Sequence, residues 1–389
     1  GVINPVGSPT DHQITVSKDF SIRGNAEFQA IYKEYYSTAD GELKFSEAQK
    51  IHNISFDIYD QVTESNVDGY LSAAYVKDSV TEKVTITVDP ETFSTRQVIN
   101  TLSSDYDVYG NAVHQTVDTY IPNPENAAGV IVNPDTPELI AFSTRKVIDN
   151  VYGNLAAQRR GNATRTDVYK YDSMTDLSAE HTIDRNLTVT DPLDFDSRGY
   201  ALKQDSYSYV WDSSHAMQMT SYRLTVNSGI DNKGDAAKQD ITTYRVTAFT
   251  HDGETGLDTV TGKTLVNYQE MTNRTFDGQH NIENQRIYTY DKADRALLLD
   301  VQEIRSTGYT SSGVAANQSI STYTETIVGG VKSLELLDFK VIKNSGIDAL
   351  GNVDTVDMTR YAACDVKAGD ATGVINPVGS PTDHQITVS

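Results

Sequence analysis

The sequence predicts an all-β chain: a repetitive array of antiparallel β-hairpins, arranged as an elongated sheet, a sandwich or a solenoid-like stack, with little helix. Three observations carry this. A ten-residue turn pattern recurs along the chain, the segments between its copies alternate β-formers with polar residues, and proline is absent from Leu193 through Asn376. Proline removes a ladder donor, so its absence lets strand pairing run unbroken through the second half.

The pattern reads aromatic or Ile, Asp, two variable residues, Gly, one variable, Ala, two variable, Gln. Full copies are Tyr106, Asp107, Gly110, Ala112, Gln115, then Phe195, Asp196, Gly199, Ala201, Gln204, then Ile230, Asp231, Gly234, Ala236, Gln239. Tyr309, Gly313, Ala315 and Gln318 keep it with Thr310 in the Asp place, and Phe276, Asp277, Ile282 and Gln285 keep it with His280 in the Gly place. Weaker echoes lie at Gly153 to Gln158, at Tyr290 to Ala296, and at Ile347, Asp348 and Gly351. Asp at the first turn position accepts from backbone N–H groups ahead of it, and Gly three residues on supplies a left-handed residue for a type I turn with a bulge. The aromatic then closes one strand and Ala opens the next. The recurring Gln has two readings, a solvent-facing strand residue or a hydrogen-bonded ladder between units.

Between turns, Asp205 to Val210, Thr242 to Phe249, Arg286 to Tyr290 and Ser319 to Ile327 alternate as half-buried strands do. A longer match, Phe93 to Asn100 (FSTRQVIN), recurs as Phe142 to Asp149 (FSTRKVID). Helical periodicity is scarce, and Gly41 to Lys50 is its best candidate. Ile121 to Pro137 breaks the pattern and reads as a loop or edge excursion, with a second break near Asp191 and Pro192.

A second repeat is longer. Gly1 to Ser17, GVINPVGSPTDHQITVS, recurs without a substitution as Gly373 to Ser389, a period of 372 residues from Gly1 to Gly373. A linker used twice is the plainer account; a window cut from a tandem array is the other. The segment joins a turn-rich half to a short strand, His12 to Val16. The expected organisation is a junction at 1–17, a first hairpin array at 18–122, a loop excursion with hairpins at 123–192, a second array at 193–372, and the start of the next unit at 373–389.

The Tyr-Asp-x-x-Gly element, as in Tyr106 to Gly110 and the related Tyr290 to Asp294, resembles the YD repeat of Rhs-type and teneurin-type surface proteins. That resemblance implies hairpins strung along a long extracellular sheet or shell, and so a secreted or cell-surface location. In that family the element recurs more densely and an Arg-Leu pair commonly follows it; here Asn-Ala, Tyr-Ala or Asp-Ala follows the Gly. A toxin-encapsulating shell does not carry over.

Composition narrows the function. With net charge -22, the chain lacks the clustered cations that nucleic acid requires. No stretch reaches the length of a membrane span. Hydrophobic residues make 38% of the chain, which suits thin layers better than a thick globule. Cys364 is the single cysteine, so no internal disulfide forms, and a small buried hydrophobe suits it better than a reactive thiol. The eight histidines show no zincin or metal-ligand spacing, and no nucleophile elbow, P-loop or dinucleotide fingerprint is present, so no catalytic residue is expected.

Acidic turns leave two readings. Asp231 and Asp235, and Asp252 and Asp258, offer oxygen ligands of the kind calcium takes, although Asp also serves turn geometry alone. Sequons stand at Asn53, Asn162, Asn186, Asn273 and Asn317. Trp211 and the tyrosines are candidates either for sugar stacking or for one packed strand face. The expected function is a structural repeat unit of an extracellular filament or surface fibre, whose partners are neighbouring copies joined head to tail through the duplicated segment. The rivals are an adhesin or stalk binding surface glycans and, behind it, a β-helix carbohydrate-active enzyme.

Overall fold

Strand follows strand because each turn reverses the chain onto its own alternating neighbour. The computed structural model describes residues 11–21, 23–37, 42–127, 129–252, 258–277, 280–310, 312–329, 331–347, 351–365 and 375–388. Its strands are β1 (Asp11–Phe20), β2 (Ala26–Ser37), β3 (Glu42–Phe56), β4 (Val62–Tyr70), β5 (Ala73–Lys77), β6 (Val84–Val88), β7 (Phe93–Asn100), β8 (His114–Pro122), β9 (Ile140–Val151), β10 (Arg165–Tyr171), β11 (Thr182–Val189), β12 (Lys203–Trp211), β13 (Met217–Ile230), β14 (Ala236–His251), β15 (Asp258–Phe276), β16 (Ile282–Tyr290), β17 (Leu298–Tyr309), β18 (Ala315–Val328), β19 (Val331–Ile347), β20 (Val353–Cys364) and β21 (Pro377–Val388).

The fold is all-β and repetitive, with nineteen of these strands in one sheet and β5 and β6 in a separate hairpin. Every strand of the large sheet pairs antiparallel with the next in sequence, β4 pairing with β7 across the β5–β6 excursion. The sheet is therefore a continuous meander whose two edges are β1 and β21. The β5–β6 hairpin folds back over the first strands, where Tyr75 meets Tyr32 edge-on at 5.0 Å.

The helix expected over Gly41 to Lys50 is a correction: from Glu42 onward this segment belongs to β3, bonded on both sides by β2 and β4. Helix propensity in a Glu- and Lys-rich stretch is worth tenths of a kcal/mol per residue, and two flanking ladders outweigh it. The α-helix that does form among the described residues, α1 (Leu155–Gln158), is one turn long and is capped by the Asn154 side chain accepting from the Ala157 N–H.

One face of the sheet carries the core. Cross-strand partners on it include Tyr70 with Phe93, Tyr120 with Phe142, Tyr268 with Tyr290, and Phe339 with Tyr361, their ring centroids 5.8–6.1 Å apart. Leu187, Tyr209, Met219 and Val246 form its central apolar cluster, against which Trp211 packs. β17 lies against β2 and is buried on both faces, so the sheet coils back on itself.

Candidate functional site

Three arrangements on this sheet have chemistry: the turns, a set of buried arginine forks, and the two free edges.

At each pattern turn the closing residue pairs with the residue six positions on. Tyr106 pairs with Ala112, Phe195 with Ala201, Ile230 with Ala236, Phe276 with Ile282, and Tyr309 with Ala315. The Asp107 carboxylate accepts from the Tyr109 and Asn111 N–H groups at 2.8 Å, Asp196 from Arg198 and Tyr200 at 2.9 and 3.0 Å, and Asp231 from Lys233, Gly234 and Asp235 at 2.7–3.0 Å. Asp277 accepts from Asn281 at 2.9 Å. Left-handed φ values follow at Gly110 (84°), Gly199 (88°), Gly234 (102°), Gly313 (79°) and Gly351 (87°), and at His280 (70°); Asp348 lies outside the described residues. Three more copies were not read from the sequence, Phe20-Ser21 closing on Ala26, Phe56-Asp57 closing on Val62 and Trp211-Asp212 closing on Met217, with Gly24, Asp60 and His215 in the left-handed place.

The recurring glutamines do something neither reading anticipated. Gln115 donates to Thr101 at 3.0 Å, Gln204 to Thr190 at 3.4 Å, Gln239 to Asn227 at 2.9 Å and Gln318 to Ser306 at 3.1 Å. Each reaches back across its own hairpin to the opposite position on the arm that enters the turn, and so ties the two arms together.

The turn carboxylates set an acid limit. Asp212 is pulled down to about 2, first by the Ser214 hydroxyl and then by the Ala216 and Ser214 N–H groups, and Asp231 is lowered, first by the Asp235 N–H. A depressed folded pKa contributes stability above the unfolded value of about 3.9 and loses it as pH falls through the folded one. Structure followed by circular dichroism is therefore expected to hold above about pH 4 and fall away between 4 and 2. Asp212→Asn is expected to remove its share of that slope, and an unchanged acid profile would discount the turn.

The arginine forks were missed by sequence reasoning. Arg96 on β7 donates from Nε and Nη2 to both carboxylate oxygens of Asp68 on β4, at 2.6 and 2.8 Å. Arg145 on β9 grips Asp118 on β8 the same way, at 2.5 and 2.6 Å, and Arg185 on β11 grips Asp167 on β10 at 2.8 Å for both bonds. Three successive strand pairs thus carry Asp on the first strand and Arg on the second, all on the core face. The remaining nitrogen, Nη1, reaches across: from Arg96 to the Pro134 carbonyl at 2.8 Å, from Arg145 to the Met174 carbonyl, and from Arg185 to Asp258 on β15 at 3.1 Å. The loops after β8 and β10 are pinned onto the sheet by the first two. Their sequence signal is the Arg of the duplicated FSTR, four residues into β7 and six into β9.

Around Arg185 the packing is complete. Arg185 is 0% exposed, and its guanidinium sits 5.1 and 4.7 Å from the Tyr169 and Tyr209 ring centres. The Tyr209 hydroxyl donates to Asp258 at 2.5 Å, and burial followed by that bond raises the Tyr209 pKa. Burial opposes the arginine's charge, but the Asp167 hydrogen bond outweighs it and the Arg185 pKa is raised. This is a locked structural cluster whose charges are mutually satisfied.

The other candidates fall in different places. Asp258 serves Arg185, Tyr209 and His251, Asp235 bonds His280 at 3.0 Å, Asp231 is occupied by its own turn, and Asp252 is exposed at the end of β14. Among the described residues no group of three or more His, Cys, Asp or Glu is placed to hold a metal ion. Of the sequons, Asn186 is exposed on β11, whereas Asn53, Asn162 and Asn317 are half-buried, Asn53 donating to the Ala26 carbonyl and Asn162 to that of Gly199. Asn273 lies in β15. Tyr207, Tyr222 and Tyr244 stack on one another across three strands, with Lys263 over the last two, so their ring faces are taken. Cys364 ends β20 beside Ser321. A cleft under the β5–β6 hairpin is lined by Phe28, His52, Lys50, Lys83 and Arg96, with Phe28 stacked on His52 at 4.2 Å.

The edges are formed by the duplicated segment. Its described first-copy residues form β1 from Asp11, while its second copy forms the exposed β21 from Pro377, where Gly379 is left-handed and the register shifts twice. In the second copy the Pro-Gly half is thus strand with irregular pairing, where the sequence suggested a turn. His12 meets Glu34 of β2 through Nδ1 at 2.8 Å, and His384 meets Asp357 of β20 through Nε2 at 2.8 Å.

No protein-family model matches this chain, and no curated protein matches its sequence significantly. Solved structures give weak likenesses to Tc toxin chains. One is the Tc holotoxin pore of Photorhabdus luminescens, 8% identical over 96% of this chain and 21% of that one, TM-score 0.16. Another is TcdB2-TccC3-Cdc42, at 12%, 92% and 20% with TM-score 0.16; a third, TcdB2-TccC3, stands at 11%, 89% and 20% with TM-score 0.17. The chain spans about a fifth of the length of those chains.

Proposed function

We propose that this chain is a structural repeat unit of an extracellular filament or cell-surface fibre, joined head to tail through its duplicated segment. The observation that supports it most is that one seventeen-residue sequence supplies strands at both edges of a single uninterrupted sheet. An edge strand is ordinarily a liability that invites pairing with another chain. Here the two edges carry the same sequence, which suits a head-to-tail contact that propagates as a filament when its rotation does not close. The arginine forks and cross-strand glutamines fit that role, since they stiffen the sheet and serve no visible reaction. The YD-type turns fit a surface location.

Electron microscopy of native material tests the reading: filaments with an axial repeat matching one unit are expected, and dispersed single particles would overturn it. The cleft under β5–β6 favours a second reading, a glycan-binding stalk, because it places an aromatic ring among cations; binding on a glycan array with no filament would support that instead.

A further inference from the structure

We infer that the duplicated strand is a splice, bonded by one edge to the last strand of one copy and by the other edge to β2 of the next, so that joined copies share one continuous sheet. This rests on the repeat-unit reading and adds to it the bonding edge, the register and the residues.

The argument begins with which way each backbone group points. Left-handed Asp19 interrupts the β1–β2 register between Phe20 and Lys18, so the phase is set from the inner ladders: the Thr101 N–H donates to the Thr63 carbonyl at 3.0 Å, and the registers run unbroken over Glu64 to Gly69 against β7, Ala48 to Asn53 against β4 and Phe28 to Lys33 against β3. Bonding alternates residue by residue along an antiparallel pair. Carried from Ser65 and Val67 facing β7, that alternation turns Phe28, Ala30 and Tyr32 toward β1, so His12, Ile14 and Val16 turn their N–H and C=O groups toward β2 and Asp11, Gln13 and Thr15 turn theirs to the outer edge. Among the described residues no strand pairs with that edge.

At the other end the Asp365 N–H donates to the Asn376 carbonyl at 3.1 Å. Between there and Arg360 the register shifts twice and Gly379 is left-handed, so the phase is set from the inner ladders: the Asn227 N–H donates to the Leu202 carbonyl at 2.8 Å, and alternation carried through the registers of β13 to β19 turns Thr355, Asp357 and Thr359 toward β19 and Val356, Met358 and Arg360 toward β21. The partners of these last three are Thr387, Gln385 and Asp383. These are the second-copy counterparts of Thr15, Gln13 and Asp11. The edge that β1 leaves free is the edge by which its duplicate already bonds β20, and the edge that β21 leaves free, His384, Ile386 and Val388, is the one by which β1 bonds β2.

Three further features agree. The nineteen strands less the duplicated last one leave eighteen per period, an even number, so the duplicate runs in the same direction as β1. Following cross-strand partners through the sheet, Ile14 opposite Tyr32 and Ile386 opposite Asp357 fall on the same face. The histidine uses Nδ1 toward Glu34 at one end and Nε2 toward Asp357 at the other, so one imidazole in a spliced strand would hold a carboxylate from each copy, as an imidazolium with two donors does.

In the single chain β20 is covered by its own β21, and releasing it should let β1 of a second copy take its place. Proline deletes one N–H donor and is tolerated where that N–H faces outward from an edge. Gln385→Pro with Thr387→Pro is expected to convert a 42.8 kDa species into a concentration-dependent series of its multiples in analytical ultracentrifugation. Adding Gln13→Pro and Thr15→Pro should return it to the single species, because these remove donors only from the outer edge of β1. Should the parent chain itself associate head to tail, the Gln13→Pro and Thr15→Pro pair alone must abolish that. Amide exchange across β7 to β14 reports whether each variant is folded. A folded release variant that stays at one chain mass, or multiples that persist in the fourfold variant, would overturn the splice. Native filaments alongside a monomeric release variant would leave the repeat-unit reading standing with a different joint; multiples without native filaments would do the reverse.

Discussion

Arg185→Leu is expected to lower the stability of the sheet's centre by about 3–5 kcal/mol, the range for removing one partner of a buried ion pair. The size follows from what is left behind. Asp167 and Asp258 both direct carboxylate oxygens at the guanidinium, and the Asp258 side chain is 0% exposed. Without the arginine two buried carboxylates lose the cation they share, leaving Asp258 with the Tyr209 hydroxyl and the His251 ring and Asp167 with Arg165. The rings of Tyr169 and Tyr209 also lose the cation they enclose. In a meander where each strand contacts mainly its neighbours, the damage should be local before it is global. Amide exchange is the suitable measurement: β10, β11 and β12 are expected to lose protection while β18 to β20 keep theirs. Arg185→Leu with Asp167→Leu and Asp258→Leu should recover part of the loss, because no charge then remains buried. If the single substitution leaves exchange in β10 to β12 unchanged, the fork contributes nothing to holding the sheet.

The turns were legible in the sequence and the forks were not, for a physical reason. A turn is local: Asp107, Gly110 and Ala112 sit within one decapeptide, and each residue type answers to a backbone need that recurs wherever the chain reverses. The copies at Asp57 and Asp212 escaped because Asp60 and His215 stand where glycine was required, yet both adopt left-handed φ, 67° and 57°, as Asp and His do more readily than most residues. A pattern that admitted His280 in that place but not these two was narrower than the geometry. The forks join residues 18 to 28 apart, across a strand pair whose register had to be known first. The repeated FSTR carried the signal for Arg96 and Arg145, but the matching Asp68 and Asp118 share no local motif. The expected helix in 41–50 failed for the opposite reason: a local propensity was read where two neighbouring ladders decide the conformation.

Gly199→Ala is expected to be the most damaging of the turn substitutions, at about 3 kcal/mol or more, and Gly313→Ala among the mildest, at about 1 kcal/mol. Both glycines are left-handed, at 88° and 79°, so both substitutions bear the penalty of a side chain there. What separates them is the space. A Cβ on Gly199 would stand 2.4 Å from the Ala156 carbonyl oxygen and 2.6 Å from the Ala157 nitrogen, whereas one on Gly313 would meet nothing within 4 Å. The obstruction is backbone, held in α1 by the Asn154 cap, so it cannot swing aside as a side chain would. The Gly199 carbonyl also accepts from Asn162 at 2.9 Å, and the Arg198 carbonyl from the Arg160 side chain, so shifting the turn would loosen the whole contact between it and the segment that carries α1. Urea unfolding followed by tyrosine fluorescence, with amide exchange at 155–162, measures both effects. Equal losses in the two variants would mean that conformation alone decides, and that the turn after Phe195 does not rest on α1.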